Sequence, residues 1–204
     1  MIGHALAIVA LMGGAVTQTI KGATVDWSEG TITARGVGPA DRHAPAPAVA
    51  RDAAKVRAID AAKAVLTASA KALPGVHDLK DDAIARVIDR AVIATMDLGT
   101  DGSVTLELRI PIEAVRVAMS GARDAAPSHD PPAQTVIVDA THLKLKPQVG
   151  LAIGGWTGPT LFVDKAPADG LHVKATKLAG KSVEIDGTAP ASGARVVVVI
   201  GAKS

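Results

Sequence analysis

An alanine-rich segment, Ala48 to Leu73, is the feature that most constrains the fold of this chain. Alanine is the best helix former and Pro74-Gly75 ends the segment, so the sequence predicts one long helix. Its larger apolar residues recur at helical spacings, and we expect them to form the core-facing stripe: Val49, Val56, Ile59, Leu66 and Leu73. Ala53, Ala62 and Ala70 would widen that stripe and keep it flat. Such a helix can pack closely across a sheet, and an assembly seam between helices is the alternative.

The core must be built with almost no aromatic side chains. Although 48% of the residues are hydrophobic, the aromatic residues are Trp27, Trp156 and Phe162 alone. Small side chains bury little surface each, and apolar burial contributes only about 25 cal/mol per Å². We therefore expect regular close packing and burial between subunits to matter more than usual.

Alternating patterns predict strands on both sides of the long helix. Thr24 to Ala34 alternates, with Val25, Trp27 and Ile32 facing a core. The glycines of Gly36-Val37-Gly38-Pro39 are expected to serve a backbone turn that ends this strand. Further on, the Asp101-Gly102 pair predicts a β-hairpin. The remaining predicted elements of this region are short helices at Asp81–Ile88 and Glu113–Met119 and hairpin strands at Arg90–Asp97 and Ser103–Ile110.

A Pro-rich stretch divides the chain. Residues 121–133 contain Pro127, Pro131 and Pro132 and are predicted to link residues 24–120 to residues 134–204. The second region is predicted to consist of strands, and its run of four valines suits a strand buried on both faces. The fold class expected is α+β: a long helix on a small antiparallel or mixed sheet, followed by a β-rich second lobe.

The N-terminus has the pattern of a secretory signal. Ala5 to Val16 is apolar but shorter than the roughly 20 residues of a membrane span. Small residues at Gly13 and Ala15 make cleavage after Ala15 plausible, so residues 1–23 are assigned to a signal segment. Only His4 precedes the apolar run, without Lys or Arg, and a buried N-terminal element is the alternative. We expect export to the periplasm or outer membrane, with no transmembrane helix after signal removal.

The sequence predicts no catalytic, cofactor-binding or metal-binding residue. It has no cysteine, and its six histidines do not combine with Asp or Glu at a metal-ligand spacing. The Gly36-Val37-Gly38 step and the glycines of 150–158 lack the following helix that a phosphate loop requires. The net charge of +2, without a Lys/Arg-rich run, argues against nucleic-acid binding. We therefore expect a protein that is not an enzyme and needs no cofactor.

The order of these elements resembles a known bacterial family. The opening Trp27-Ser28-Glu29-Gly30 through Gly36-Val37-Gly38, the helix beginning Ala50-Arg51-Asp52-Ala53-Ala54, and the Asp101-Gly102 hairpin carry the resemblance. Val136-Ile137-Val138-Asp139-Ala140 and the final run Ala194–Val199 extend it over about 24–204. The family consists of small outer-membrane lipoproteins that include the flagellar basal-disc protein FlgP, and it is related to the flagellar ring protein FlgT. Its motifs are structural and supply no catalytic residue. The chain lacks the lipidation Cys of that family.

Two hypotheses of function follow from these observations. The first is an exported, non-enzymatic cell-envelope protein that self-assembles or serves as a flagellar or outer-membrane accessory, with itself or other envelope proteins as partners. The resemblance and the Ala-rich helix support it. The second is a periplasmic module that binds a small ligand or glycan near Trp156, which lies among glycines. The sequence specifies neither the assembly number nor the individual partners.

Overall fold

The computed structural model describes residues 15–41, 43–121 and 134–201. These residues form three helices and two sheets, which confirms the α+β class and the long helix packed on a sheet. Residues 1–14, with most of the predicted signal, and 122–133, with most of the predicted linker, lie outside the described part of the chain.

The first sheet, sheet A, is antiparallel throughout and has the strand order β1-β2-β3-β5-β4. Its strands are β1 (Thr17–Ile20), β2 (Ala23–Asp26), β3 (Thr31–Gly38), β4 (Val92–Leu98) and β5 (Val104–Pro111). The sheet thus begins at Thr17, within the range assigned to the signal segment. A turn stabilised by Asp26 separates β2 from β3: the Asp26 carboxylate accepts hydrogen bonds from the backbone of Ser28 and Glu29, at 2.9 and 3.0 Å. The predicted core residues of this region, Val25, Trp27 and Ile32, are all buried.

The helices lie close to their predicted positions. They are α1 (Pro47–Lys71), α2 (Asp81–Asp89) and α3 (Ile112–Met119). Pro47 stands in the first turn of α1, where its missing N–H leaves no intrahelical bond unmade. Helix α1 packs across β3 and β5. Helix α2 runs beside the second half of α1. Lys71 pairs with Asp81 at the start of α2, and Lys63 pairs with Asp89 at its end.

The predicted core stripe of α1 is wrong in its first half. Val49 and Val56 are exposed, whereas the buried positions are mostly alanines four residues apart: Ala54, Ala58, Ala62, Leu66, Ser69 and Ala70. The reason lies in the sheet beneath. A Cβ built on Gly36 would overlap the carbonyl oxygen of Ala58. A Cβ on Gly38 would overlap that of Ala54. The helix backbone lies almost on the strand, and only alanine fits between them.

The predicted turn at Gly36-Val37-Gly38 is therefore also wrong. Strand β3 continues through Gly38, and Gly36 and Gly38 pair regularly with Leu106 and Val104 of β5. Neither glycine has the positive φ that a turn would need from it. Both are required because a side chain would collide with α1.

The second sheet, sheet B, contains the β-rich region predicted after the linker. Its order is β7-β10-β9-β6-β11-β8, and β11 pairs in parallel with β6 on one side and β8 on the other. The strands are β6 (Thr135–Asp139), β7 (Ala152–Ile153), β8 (Thr160–Val163), β9 (Leu171–Ala179), β10 (Ser182–Asp186) and β11 (Arg195–Val199). All four valines of β11 are buried, as predicted for a strand covered on both faces.

The two sheets share one hydrophobic core. The rings of Trp27, from the β2–β3 turn, and Phe162, from β8, meet edge to face with centroids 5.8 Å apart. The Phe162 N–H also donates to the Trp27 carbonyl at 3.0 Å, and the Val149 N–H donates to that of Pro74 at 2.8 Å. Buried residues of both sheets belong to one continuous cluster. Two of the three aromatic residues, Trp27 and Phe162, thus lie where the sheets join.

Candidate interaction surface

Three ionisable groups of the described residues have a shifted pKa, and each shift has a local cause. Arg86 donates a hydrogen bond that lowers the pKa of the Asp82 carboxyl four residues earlier. Glu113 accepts from Arg116 and raises the pKa of that guanidinium. The backbone and hydroxyl of Thr141 both donate to Asp139 and lower its pKa. Each pair lies within one helix or turn, so these shifts reflect local structure.

The histidines that the structure describes are all exposed: His43, His77, His142 and His172. His77 Nδ1 lies 3.1 Å from Lys181 Nζ. Within residues 15–41, 43–121 and 134–201, no three His, Asp or Glu side chains stand close enough to hold a metal ion. The same residues include no helix with both the length and the apolar character needed to cross a bilayer.

Trp27 lines two cavities. One, of about 230 Å³, also borders Ile112, Arg116 and Val149. The other, of about 210 Å³, is bordered by Gln18 and Asp164. The Trp27 Nε1 donor and the Asp164 Oδ1 acceptor are buried without a hydrogen-bond partner. Trp156, which the sequence suggested as a ligand contact, lines neither cavity. It packs against the core beside Gly158.

Strand β4 carries the clearest exposed apolar surface of the described residues. Every residue of β4 is exposed, although Ile93, Met96 and Leu98 pair with the buried Leu108, Leu106 and Val104 of β5. Directly opposite residues of a sheet share a face. The three β4 side chains therefore project on the side that carries α1, where the corresponding β5 side chains are covered.

Two exposed valines of α1, Val49 and Val56, lie on a flank turned away from the sheet, because Val56 is about 200° around the helix from both Ala54 and Ala58. Val49, Val56 and Lys63 are spaced by seven residues and so lie along one side of the helix. Lys63 Nζ reaches Asp89 of α2 at 2.8 Å, which fixes this flank as the one turned toward α2. Since α2 ends at Asp89, it covers the flank beside Lys63 and leaves the two valines exposed.

Three side chains of β4 define what we call the β4 surface: Ile93, Met96 and Leu98. Each exposes between 44% and 58% of its area, although all belong to residue types that are usually buried. Clustered exposed apolar side chains typically mark an interaction site. Among the residues that the structure describes, β4 pairs with β5 alone, so the surface also includes a sheet edge.

Strand β4 lacks most features that protect an edge from pairing. It has no Lys, Arg or Pro, and its single charge is Asp97. A register irregularity between Ile93 and Thr95 is its one disruption, and Thr95 to Leu98 pair regularly with β5 beyond it. This edge is therefore competent to add another strand.

Sequence reasoning identified the hairpin that contains β4 but missed the surface. It assigned Val49 and Val56 to the core and did not place β4 at an edge. For the buried face of α1, the sequence did carry a signal in two different spacings. The valines recur every seven residues, whereas Ala54, Ala58 and Ala62 recur every four. Comparisons of the chain with protein-family models, with curated proteins and with solved structures find no match.

Proposed function

We propose that this protein is a non-enzymatic, exported cell-envelope protein that acts by associating with copies of itself, as a structural or flagellar and outer-membrane accessory component. The observation that carries the proposal is the β4 surface, which joins exposed apolar side chains to a free strand edge. The local roles of the ionisable groups agree with a structural function. The envelope assignment rests on the apolar N-terminal segment and on the family resemblance.

Two measurements test this proposal. Light scattering on the purified protein should give at least twice the mass of one chain, because the apolar area on β4 is stabilised when a partner covers it. A monomer at all concentrations tested would refute self-association. Mass spectrometry of the protein from its host should find an N-terminus at Val16 in an envelope fraction. An intact Met1 on a cytoplasmic product would refute export.

The second hypothesis, a module that binds a small ligand, gains support from the cavity of about 210 Å³ that Trp27 and Asp164 both line. A ligand with one hydrogen-bond acceptor and one donor could satisfy both Trp27 Nε1 and Asp164 Oδ1. In a Trp156→Phe variant, Trp27 is the one remaining tryptophan and reports directly on that cavity. We expect small amides or envelope glycans to change its fluorescence and Asp164→Ala to abolish the change. A response that survives Asp164→Ala would place the ligand elsewhere.

A further inference from the structure

We propose that two copies of this protein join through β4, which pairs antiparallel with its own counterpart across a two-fold axis at Met96. The pairing would unite two five-stranded sheets into one continuous sheet. It rests on the self-association proposed above and specifies the surface, the partner and the register.

The backbone of β4 is oriented for this pairing. The Gly99 N–H donates to the Ser103 carbonyl at 2.8 Å, so the backbone of Gly99 faces β5. Hydrogen bonding alternates along an antiparallel ladder, so Asp97 and Thr95 also direct their backbone groups toward β5. Met96 and Leu98 consequently direct theirs toward the free edge. A two-fold axis at Met96 would make Met96 and its counterpart a hydrogen-bonded pair.

The side chains select the same register. With the axis at Met96, the thioether faces its own counterpart, Leu98 lies opposite Ala94, and Asp97 lies opposite the uncharged Thr95. An axis at Asp97 would place two carboxylates directly opposite each other, which is destabilising. An axis at Thr95 would place Ala94 opposite Met96 and so centre the pairing beside the register irregularity between Ile93 and Thr95. The Met96 register alone among these three avoids both disadvantages.

The other edge of sheet A is a poorer partner. Strand β1 presents Thr17, Gln18 and Thr19, which are exposed and polar. A β4–β1 contact would set Met96 and Leu98 beside these groups and leave much of the apolar surface uncovered. Self-pairing of β4 instead matches apolar side chains with apolar side chains, as an isologous interface requires.

The same axis would bring both β4 surfaces together. An axis perpendicular to the sheet keeps both α1 helices on one side of the joined sheet. Ile93, Met96 and Leu98 of the two copies would then lie along one seam. The side chains left uncovered by α1 and α2 in one copy would thereby become the centre of the interface.

Single-cysteine variants test the register, because the natural chain contains no cysteine. Opposed residues of a hydrogen-bonded antiparallel pair have Cα atoms about 5.5 Å apart, within the range that a disulfide spans. Met96→Cys should therefore form a disulfide-linked dimer under mild oxidation. Leu98→Cys is the matched control, because its counterpart would lie about 13 Å away along the strand. Cross-linking of Leu98→Cys in preference to Met96→Cys would overturn the register.

Light scattering of Met96→Lys separates this proposal from the more general one. The variant should remain folded by circular dichroism and have a dimer dissociation constant at least tenfold higher than the natural protein. Val37→Lys, at a 53% exposed position on the opposite side of sheet A, should leave the constant unchanged. If Met96→Lys associates like the natural protein and Met96→Cys does not cross-link, β4 pairing fails while self-association stands. If the natural protein is itself a monomer, both proposals fail.

Discussion

Replacing Gly36 with alanine tests the account of how α1 sits on sheet A. The added Cβ would overlap the carbonyl oxygen of Ala58 and approach the Ala62 nitrogen to 2.8 Å. These two atoms are the acceptor and donor of one hydrogen bond of the helix, which joins residues four apart. The added methyl would therefore press on a helical hydrogen bond, and no flexible side chain could move aside.

The expected cost follows from this geometry. Ordinary van der Waals contact begins at 3.4 Å, so the helix must retreat by about 1.5 Å from β3 to clear the Ala58 oxygen. Strand β3 cannot retreat, because it is paired with β2 and β5 on both sides. Overpacking of this kind costs about 1–3 kcal/mol or somewhat more. The reduced freedom of the unfolded chain offsets about 0.5 kcal/mol. We expect a net loss of about 2–3 kcal/mol.

Thermal and urea denaturation followed by circular dichroism measure this loss. For a chain of this size, each kcal/mol corresponds to roughly 2–4 °C, so the midpoint of Gly36→Ala should fall by about 5–10 °C. Val37→Ala is the control between the two glycines, and its exposed side chain should change stability by about 0.5 kcal/mol or less. Gly38→Ala should cost a similar amount to Gly36→Ala, because its Cβ would overlap the Ala54 carbonyl.

The double variant provides a stricter test. Once one alanine has raised α1 from the strand, the second meets less resistance, so the combined loss should be smaller than the sum of the two. Equal stability of Gly36→Ala and Val37→Ala would refute the close approach of helix and strand. The turn predicted from the sequence would then be the remaining explanation for Gly36 and Gly38.

Two other predictions concern the joined core and the dependence on pH. Phe162→Ala removes the ring that meets Trp27 between the sheets and should cost about 3–5 kcal/mol. Circular dichroism and tryptophan fluorescence should still report one transition, and separate transitions for the two probes would contradict a shared core. The pKa of Asp139 is lowered because Thr141 donates hydrogen bonds to its carboxylate. The ionised carboxylate therefore stabilises the folded protein fully above the unfolded pKa of about 3.9, and this stabilisation is lost as the pH falls through the lower folded pKa. In urea denaturation, Asp139→Asn should lower the free energy of unfolding by at most about 1 kcal/mol at pH 7, after allowance for the exposure of Asp139, and by almost nothing at pH 2. An equal loss at both pH values would contradict a role for the charge.

The β-hairpin shows how much of the fold local sequence can specify. Asp101 accepts from the Ser103 backbone at 2.9 Å, and Gly102 adopts the positive φ that the turn requires. These interactions form within a few residues, so the Asp-Gly pair predicted them correctly. The valine run of β11 was equally informative, because a strand covered on both faces has no polar positions.

The candidate surface could not be predicted in the same way. Whether Met96 is buried depends on which strand becomes an edge and on where α2 ends. Both features are settled by contacts between residues distant in the chain. The same holds for Trp27, whose partner Phe162 lies in the other sheet.

The sequence by itself determined the elements of this protein: a long alanine-rich helix, a hairpin and a β-rich second region, each specified by local propensity and periodicity. The tertiary structure alone decided what those elements face. The close approach of α1 to Gly36 and Gly38 turned the alanines inward, because only they fit against a bare strand. That rotation left Val49 and Val56 exposed. A helix has one face to bury, and the shape of its partner selects which one.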